Sequence, residues 1–198
     1  FPPGVVFTQL LANGLIAGAI YGLVASGFSL IYATNRFMHF AHGTSVVVSA
    51  YVLYTLFSLL SLPFSLAILL TLLFSAAFGW LVARAVYFPL QKKNASMVVL
   101  LIASIALLIL FQNLVQLFFD ADVKNIGYLA TQQGIPISGA SVTPLQLVII
   151  LVSLVLFLGL HLFMKYTPLG LKMRAVADNK ELASIVGINE RHVAEYSF

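Results

Sequence analysis

Two histidines, His39 and His42, stand three residues apart in the string His39-Phe40-Ala41-His42-Gly43. On a helix that spacing puts both imidazoles on one face, where they could share a metal ion. No carboxylate accompanies them and the chain has no cysteine, so the commoner use of such a pair, hydrogen bonding to backbone carbonyls at an interface, is the competing reading. Other catalytic options are as sparse. There is no His-Glu-x-x-His and no glycine-rich phosphate loop with its Lys and Ser/Thr, and Gly139-Ala140-Ser141 is followed by Val142 where a nucleophilic serine motif needs glycine. The acidic residues, Asp120, Asp122, Asp178, Glu181, Glu190 and Glu195, all fall outside the long apolar runs. No intramembrane acid is therefore available for proton chemistry or for coupling to an ion gradient. The chain is expected not to be an enzyme and to carry no metal or cofactor.

The remaining chemistry is concentrated in Lys165 to His192, which holds eight of the sixteen Lys, Arg, Asp and Glu residues. Thr167-Pro168 has the form of an N-cap and first-turn pair, and Asp178 with Glu181 three residues on has the form of a capping box. Gly187 supplies a stop. Two short helices joined at an elbow near Ala177 are expected, lying on a membrane surface.

The surface is implied by the rest of the chain. With 61% hydrophobic and 8% charged residues and a mean hydropathy of +1.04, it is far from the soluble norm of roughly 25% charged. The expected class is all-α, a polytopic transmembrane helical bundle forming one domain, with spans over 5–32, 44–60, 64–86, 95–119 and 145–164 and residues 194–198 opening a sixth. Gly14, Gly18 and Gly22 at four-residue spacing allow close helix approach. Asn13, Ser26, Ser29, Ser96, Ser104, Gln112 and Asn113 are polar groups in the spans, available for interhelical hydrogen bonds or, for some in the first span, a substrate path. Trp80, Arg84 and Tyr87 are placed as interface anchors. Residues 120–143, with Gly127, Gly134, Pro136 and Gly139, show no helical period and read as an exposed loop with turns. The loops 33–43, 84–94 and 165–192 carry nine of the ten Lys and Arg residues, which places them in the cytoplasm and Phe1 outside. The net charge of +4 thus reflects topology, and no nucleic-acid partner is expected.

Glu181-Leu182-Ala183, three further residues, then Gly187 resembles the cytoplasmic "EAA" loop of bacterial ABC-importer permeases, with Leu182 where the short motif has a second Ala. The longer string from Gly170 to Asn189, with Arg174-Ala175 and Gly187-Ile188-Asn189, resembles more narrowly the branched-chain amino acid permease family. His39-Phe40-Ala41-His42-Gly43 is similar to that family's Asn-Phe-Ala-His-Gly signature, with His39 in place of Asn. Tyr87-Phe88-Pro89-Leu90 is similar to its Tyr-Arg-Pro-Leu turn, with Phe88 in place of Arg. The likeness covers nearly the whole length, and with Phe1 not a Met and apolar residues resuming at the end, a piece of a longer permease is expected.

The resemblance implies a permease subunit of an ATP-driven importer in a bacterial or archaeal cell (inner) membrane. Its partners would be a second homologous permease, two cytoplasmic ATPase subunits, an extracytoplasmic substrate-binding protein and membrane lipid. It implies that Gly170, Arg174, Asp178, Glu181, Ala183 and Gly187 belong to a coupling loop that docks into the ATPase. The bare residues also allow an amphipathic hairpin lying on lipid headgroups. The break at 33–43 would expose half-helix N–H groups around His42-Gly43-Thr44 to a passing carboxylate. Ser29, Asn35, His39, His42, Gly43 and Thr44 are accordingly the candidate pathway residues, against a purely structural break. The 120–143 segment would meet the binding protein or serve as a plain connector. Relatives of this architecture carry branched-chain amino acids, urea or short amides; a secondary transporter or channel subunit is the alternative class.

Overall fold

From Pro3 to Asn35 the chain has no charged residue and no proline after the first position, and it forms one helix, α1 (Pro3–Asn35). The proline stands where its missing N–H is harmless. The structure, a computed structural model, describes residues 3–120, 122–124, 126, 134–137 and 140–198; Phe1, Gly127 and Gly139, named above, lie outside them. α1 ends where Arg36 turns left-handed at φ 62° and donates its N–H to the Tyr32 carbonyl at 2.8 Å. A non-glycine residue held there costs on the order of 1–2 kcal/mol.

Helix α2 (Ala41–Tyr54) runs on through a π turn, Thr55–Leu59. It starts three residues earlier than the sequence suggests, which shortens the interruption to residues 36–40. α3 (Phe64–Val82) passes through a second π turn, Ala83–Tyr87, into α4 (Phe88–Lys92). The turn expected at Tyr87-Leu90 is therefore helical. Phe88 donates its N–H to Ala83 five residues back, so the π turn resets the ladder and Pro89 falls in the first turn of α4, where it needs no N–H. α5 (Met97–Phe119) is capped by Ser96, whose hydroxyl accepts from Val99 N–H at 3.4 Å. α6 (Pro144–Tyr166) starts with a reciprocal capping box between Thr143 and Gln146. α7 (Pro168–Asp178), α8 (Lys180–Ile185) and α9 (Glu190–Glu195) follow. The residues expected to open a sixth span lie partly in α9 and partly in the turn after it. Among the described residues, five helical runs are long and apolar enough to cross a membrane: Gly4–Asn35, Ala41–Leu59, Phe64–Lys92, Met97–Phe119 and Pro144–Tyr166.

The chain divides into two units, Phe1–Ser26 with Gly127–Gly170, and Gly27–Ile126 with Leu171–Phe198. In the first, a small antiparallel hairpin, β1 (Ile135–Ile137) and β2 (Ala140–Val142), pairs Ile135 with Val142. It stands where only turns were expected, because runs of three residues are too short to show alternation. Gln9 clasps its edge: the amide oxygen accepts from Ser141 N–H at 2.7 Å and the amide nitrogen donates to Ser141 O at 3.2 Å. The same nitrogen lies 3.2 Å from Asn13 Oδ1, so Asn13 is spent locally. Of the glycine stripe, only Gly22 is closely packed: a methyl there would lie 2.8 Å from the Phe157 ring, whereas Gly14 and Gly18 face nothing within 4 Å.

The second unit holds a core of Phe37, Ala41, Val82, Tyr87, Leu100 and Leu107, against which Phe78, Val86, Leu90, Phe111 and Phe198 pack. Ser49 of α2 and Ser75 of α3 share a hydrogen bond between their hydroxyls, a polar tie between spans. Leu72, Leu73 and Leu81 on the opposite side of α3 are exposed, as lipid-facing residues of a span should be. Arg84 stacks over Trp80 at 5.0 Å, whereas Tyr87, expected beside them as an interface anchor, is fully buried in this core.

Candidate functional site

The five residues between α1 and α2 are fixed at almost every position. Asn35, the last residue of α1, is buried, and its amide nitrogen donates to Ser197 Oγ at 2.9 Å, Thr34 Oγ1 at 3.0 Å and Ile31 O at 3.2 Å. His39 is buried in an aromatic box of Phe37, Tyr87 and Phe198, with Nδ1 2.7 Å from the Tyr87 hydroxyl. Burial, and then the neighbouring His42, pull its imidazole from 6.5 down to about 4, so at neutral pH it is an uncharged hydrogen-bonding group. Ser104 of α5 ties the same segment down, donating to Met38 O at 3.2 Å and accepting from Phe40 N–H at 3.3 Å.

The first turn of α2 does not present the row of free N–H groups that the sequence suggested. His42 N–H donates to His39 O at 3.0 Å and Gly43 N–H to Phe40 O at 3.3 Å. The tight turn at 39–43 closes these donors internally, so an anion site made of unpaired amides is not formed there. His42 packs against α1, where a methyl on Gly27 would lie 2.9 Å from its Nε2.

Gly43 and Thr44 do border an opening. A cleft of about 350 Å³ lies between α2 and α5, lined by Gly43, Thr44, Val47 and Tyr51 on one side and Leu108, Gln112, Val115 and Gln116 on the other. Nothing lies within 4 Å of a methyl placed on Gly43. The lining is mostly hydrocarbon with two amides and a phenol, a composition suited to a molecule that is apolar at one end and polar at the other. Of the expected pathway residues, the structure brings Gly43 and Thr44 to this cleft; Ser29 lies exposed on α1, and Asn35, His39 and His42 are committed to internal packing. Gln112, Gln116 and Tyr51 were missed. The signal for the two amides was their i, i+4 spacing, which puts them on one helix face, while Asn113 beside them merely donates to Ile109 O at 2.7 Å.

The second cluster is α7 and α8. Thr167 caps α7 as its sequence indicates, accepting from Gly170 N–H at 3.0 Å. Gly170 is pressed on the end of α6: a methyl there would lie 2.5 Å from Phe163 O, 2.6 Å from Met164 Cα and 2.7 Å from Met164 O. The cap of α8 is one residue later than expected. Asn179, not Asp178, adopts the extended cap conformation and accepts from Leu182 N–H at 3.1 Å, because the backbone stays helical through Asp178. The break between the helices moves with it, from Ala177 to Asn179. Gly187, at φ 85°, ends α8: its N–H donates to Ser184 O and Ile188 N–H reaches back to Ala183 O, both at 3.0 Å, the paired bonds of a glycine stop. Met173, Val176 and Ala183 face inward and are buried, while Leu182, Ile185 and Val186 are 60%, 77% and 74% exposed. Arg174, Asp178 and Glu181 are exposed beside them. Lys180 is half-buried; burial lowers its ammonium pKa, Glu190 raises it and Arg36 lowers it.

Residues 10–198 match the family described as the branched-chain amino acid transport system permease component. The chain belongs to that family. It is 28% identical over 204 residues to the high-affinity branched-chain amino acid transport system permease protein BraD of Pseudomonas aeruginosa, covering 97% of this chain and 66% of that protein. It is 29% identical to the corresponding permease protein LivH of Salmonella typhimurium with the same coverage. A probable branched-chain amino acid transport permease, LivH of Methanocaldococcus jannaschii, is 26% identical, covering 96% of this chain and 61% of its own length. This permease chain thus spans about 66% of the bacterial relatives it matches. No solved structure matches it.

Proposed function

We propose that this chain is the membrane-spanning permease part of an ATP-driven importer whose cargo is a branched-chain amino acid, with ATP hydrolysed on two separate cytoplasmic subunits. A second homologous permease and an extracytoplasmic binding protein complete the proposed assembly. The observation that carries the reading is the shape of α8: a six-residue helix with a side-chain cap at one end and a glycine stop at the other, showing Leu182, Ile185 and Val186 outward. Exposed apolar side chains on a short capped helix fit a groove in a protein partner, and a rigid knob is what rigid-body transmission needs. Glu181, at its N-terminal turn, and Gly187 flank the knob. The α2–α5 cleft at Gly43 and Thr44 is the proposed border of the translocation path, its apolar walls facing a branched side chain and its amides the polar end.

We infer the orientation from the charges: the Lys and Arg clusters around 84–94 and 165–192 lie in the cytoplasm. In the full-length protein, a cysteine at Lys124 is labelled by an impermeant reagent from outside and one at Lys93 is not; the reverse pattern overturns the orientation. For docking, Gly187→Val and Glu181→Arg should each release the ATPase subunits during purification, and retention of both at wild-type stoichiometry would refute it. Proteoliposomes holding the full complex should take up leucine only with ATP inside. Uptake down a gradient without the ATPases would indicate a secondary transporter, and uptake of urea or an amide instead of leucine would reassign the cargo.

A further inference from the structure

We propose that Arg36 is a strut that carries movement of the α7–α8 elbow into the segment leading to α2, and through it to the wall of the Gly43 cleft. The assignment rests on the coupling-loop reading above and adds to it a specific route. Arg36 lies 141 residues from Ala177 in sequence, yet its guanidinium donates to Ala177 O and, at 3.4 Å, to Asp178 O. These carbonyls belong to the last turn of α7, where helical carbonyls lack onward partners and the dipole favours a cation. Both contacts are made by one nitrogen, Nη2, at the far end of the side chain, so the link depends on the full reach of the arginine.

The other end of the strut is equally firm. Arg36 occupies a left-handed conformation that its side chain does not favour, and it is flanked by residues without slack. Asn35 is bonded to Ser197 Oγ, Phe37 is 2% exposed in the core, Met38 O and Phe40 N–H share the Ser104 hydroxyl, and His39 is bonded to Tyr87. Phe40 leads directly into Ala41, the first residue of α2, and Gly43 and Thr44 lie within the next turn. A displacement of the elbow that pulls on Arg36 therefore has no loose joint in which to dissipate before it reaches α2.

A strut differs from a simple cap in what its loss does. The experiment uses the full-length permease with its ATPase and binding-protein subunits in proteoliposomes, measuring leucine uptake and ATP hydrolysis together. Arg36→Asn keeps a residue that tolerates the left-handed turn but removes the guanidinium. The expected result is ATPase subunits retained at wild-type stoichiometry, with uptake per ATP reduced at least tenfold. Arg36→Lys, which keeps the charge on a side chain one bond shorter, should restore the ratio partly. A wild-type ratio in assembled Arg36→Asn overturns the strut. If Arg36→Asn does not assemble, Arg36→Lys decides: an intermediate ratio supports the proposal and a wild-type ratio overturns it. These outcomes are separable from the docking test, since loss of docking removes the ATPases whereas loss of the strut leaves them in place.

Discussion

Replacing Gly170 by alanine sets two effects of opposite sign against each other. Gly170 is the third residue of α7, and in a helix alanine is favoured over glycine by up to about 1 kcal/mol. Its added methyl would stand 2.5, 2.6 and 2.7 Å from three backbone atoms of Phe163 and Met164. Ordinary carbon contacts lie at about 3.5–4.0 Å, so relief needs a shift of nearly an ångström. None of the three atoms is on a rotatable side chain, so the shift must come from the backbone joining α6 to α7. Overpacking of this kind costs roughly 1–3 kcal/mol, which exceeds the propensity gain in most of its range. Gly170→Ala should therefore destabilise the permease by a net ~1–2 kcal/mol, and Gly170→Val by more. The assay is thermal unfolding of the purified protein in detergent, followed by helical circular dichroism, where about 2–4 °C is lost per kcal/mol for a domain of this size. A rise in the midpoint for Gly170→Ala would refute the contact and show that propensity governs the site. Alanine at Gly14, where nothing lies within 4 Å, provides the control in which only the propensity gain remains.

Tyr87→Phe keeps the ring that lies 4.7 Å from Phe37 but leaves buried His39 Nδ1 without its hydroxyl, at a cost of about 1–3 kcal/mol in the same unfolding assay; no measurable change would mean the bond contributes nothing. His39, held near 4 in the folded protein against 6.5 otherwise, stays neutral between those values while the unfolded chain gains a proton. Stability should accordingly rise with pH from 4 to 6.5, by at most about 3 kcal/mol, and His39→Asn should flatten that slope; an unchanged slope in His39→Asn would assign the pH dependence elsewhere. Gly43→Leu should leave the unfolding midpoint within the scatter of surface substitutions, about 0.5 kcal/mol, because its space is open, yet cut uptake by filling the cleft; normal uptake would remove Gly43 from the path.

Hydropathy made the five spans legible because a bilayer imposes one long apolar run per crossing, and the two short helices after α6 were legible because caps and a glycine stop are local chemistry. What sequence could not supply was choice among equivalent local signals. Asp178 and Asn179 are both good caps, and the one chosen depends on where α7 gives out. The Gly14-Gly18-Gly22 stripe suggests one packed face, but only Gly22 meets Phe157, since close packing needs a neighbour as well as a gap. Arg36 looked like one more basic residue of a cytoplasmic loop; its contact with α7 joins residues far apart in sequence, which no local pattern records. Gln112 looked like interhelical glue, and Gln116 drew no reading at all, until α2 was seen opposite them.

The π turn at Ala83–Tyr87 fits one residue more into its turn than an α-helix would. Deleting one residue within it would let the N–H that now reaches back five residues to Ala83 reach back four, so the turn would become α-helical and everything after it would keep its angular phase. The same deletion one or two turns earlier, in the α-helical part of α3, would instead rotate everything after it by about 100° and swing Tyr87 away from His39. The junction is thus the one place in this span where a single codon can be lost while the segment leading into α2 keeps its partner.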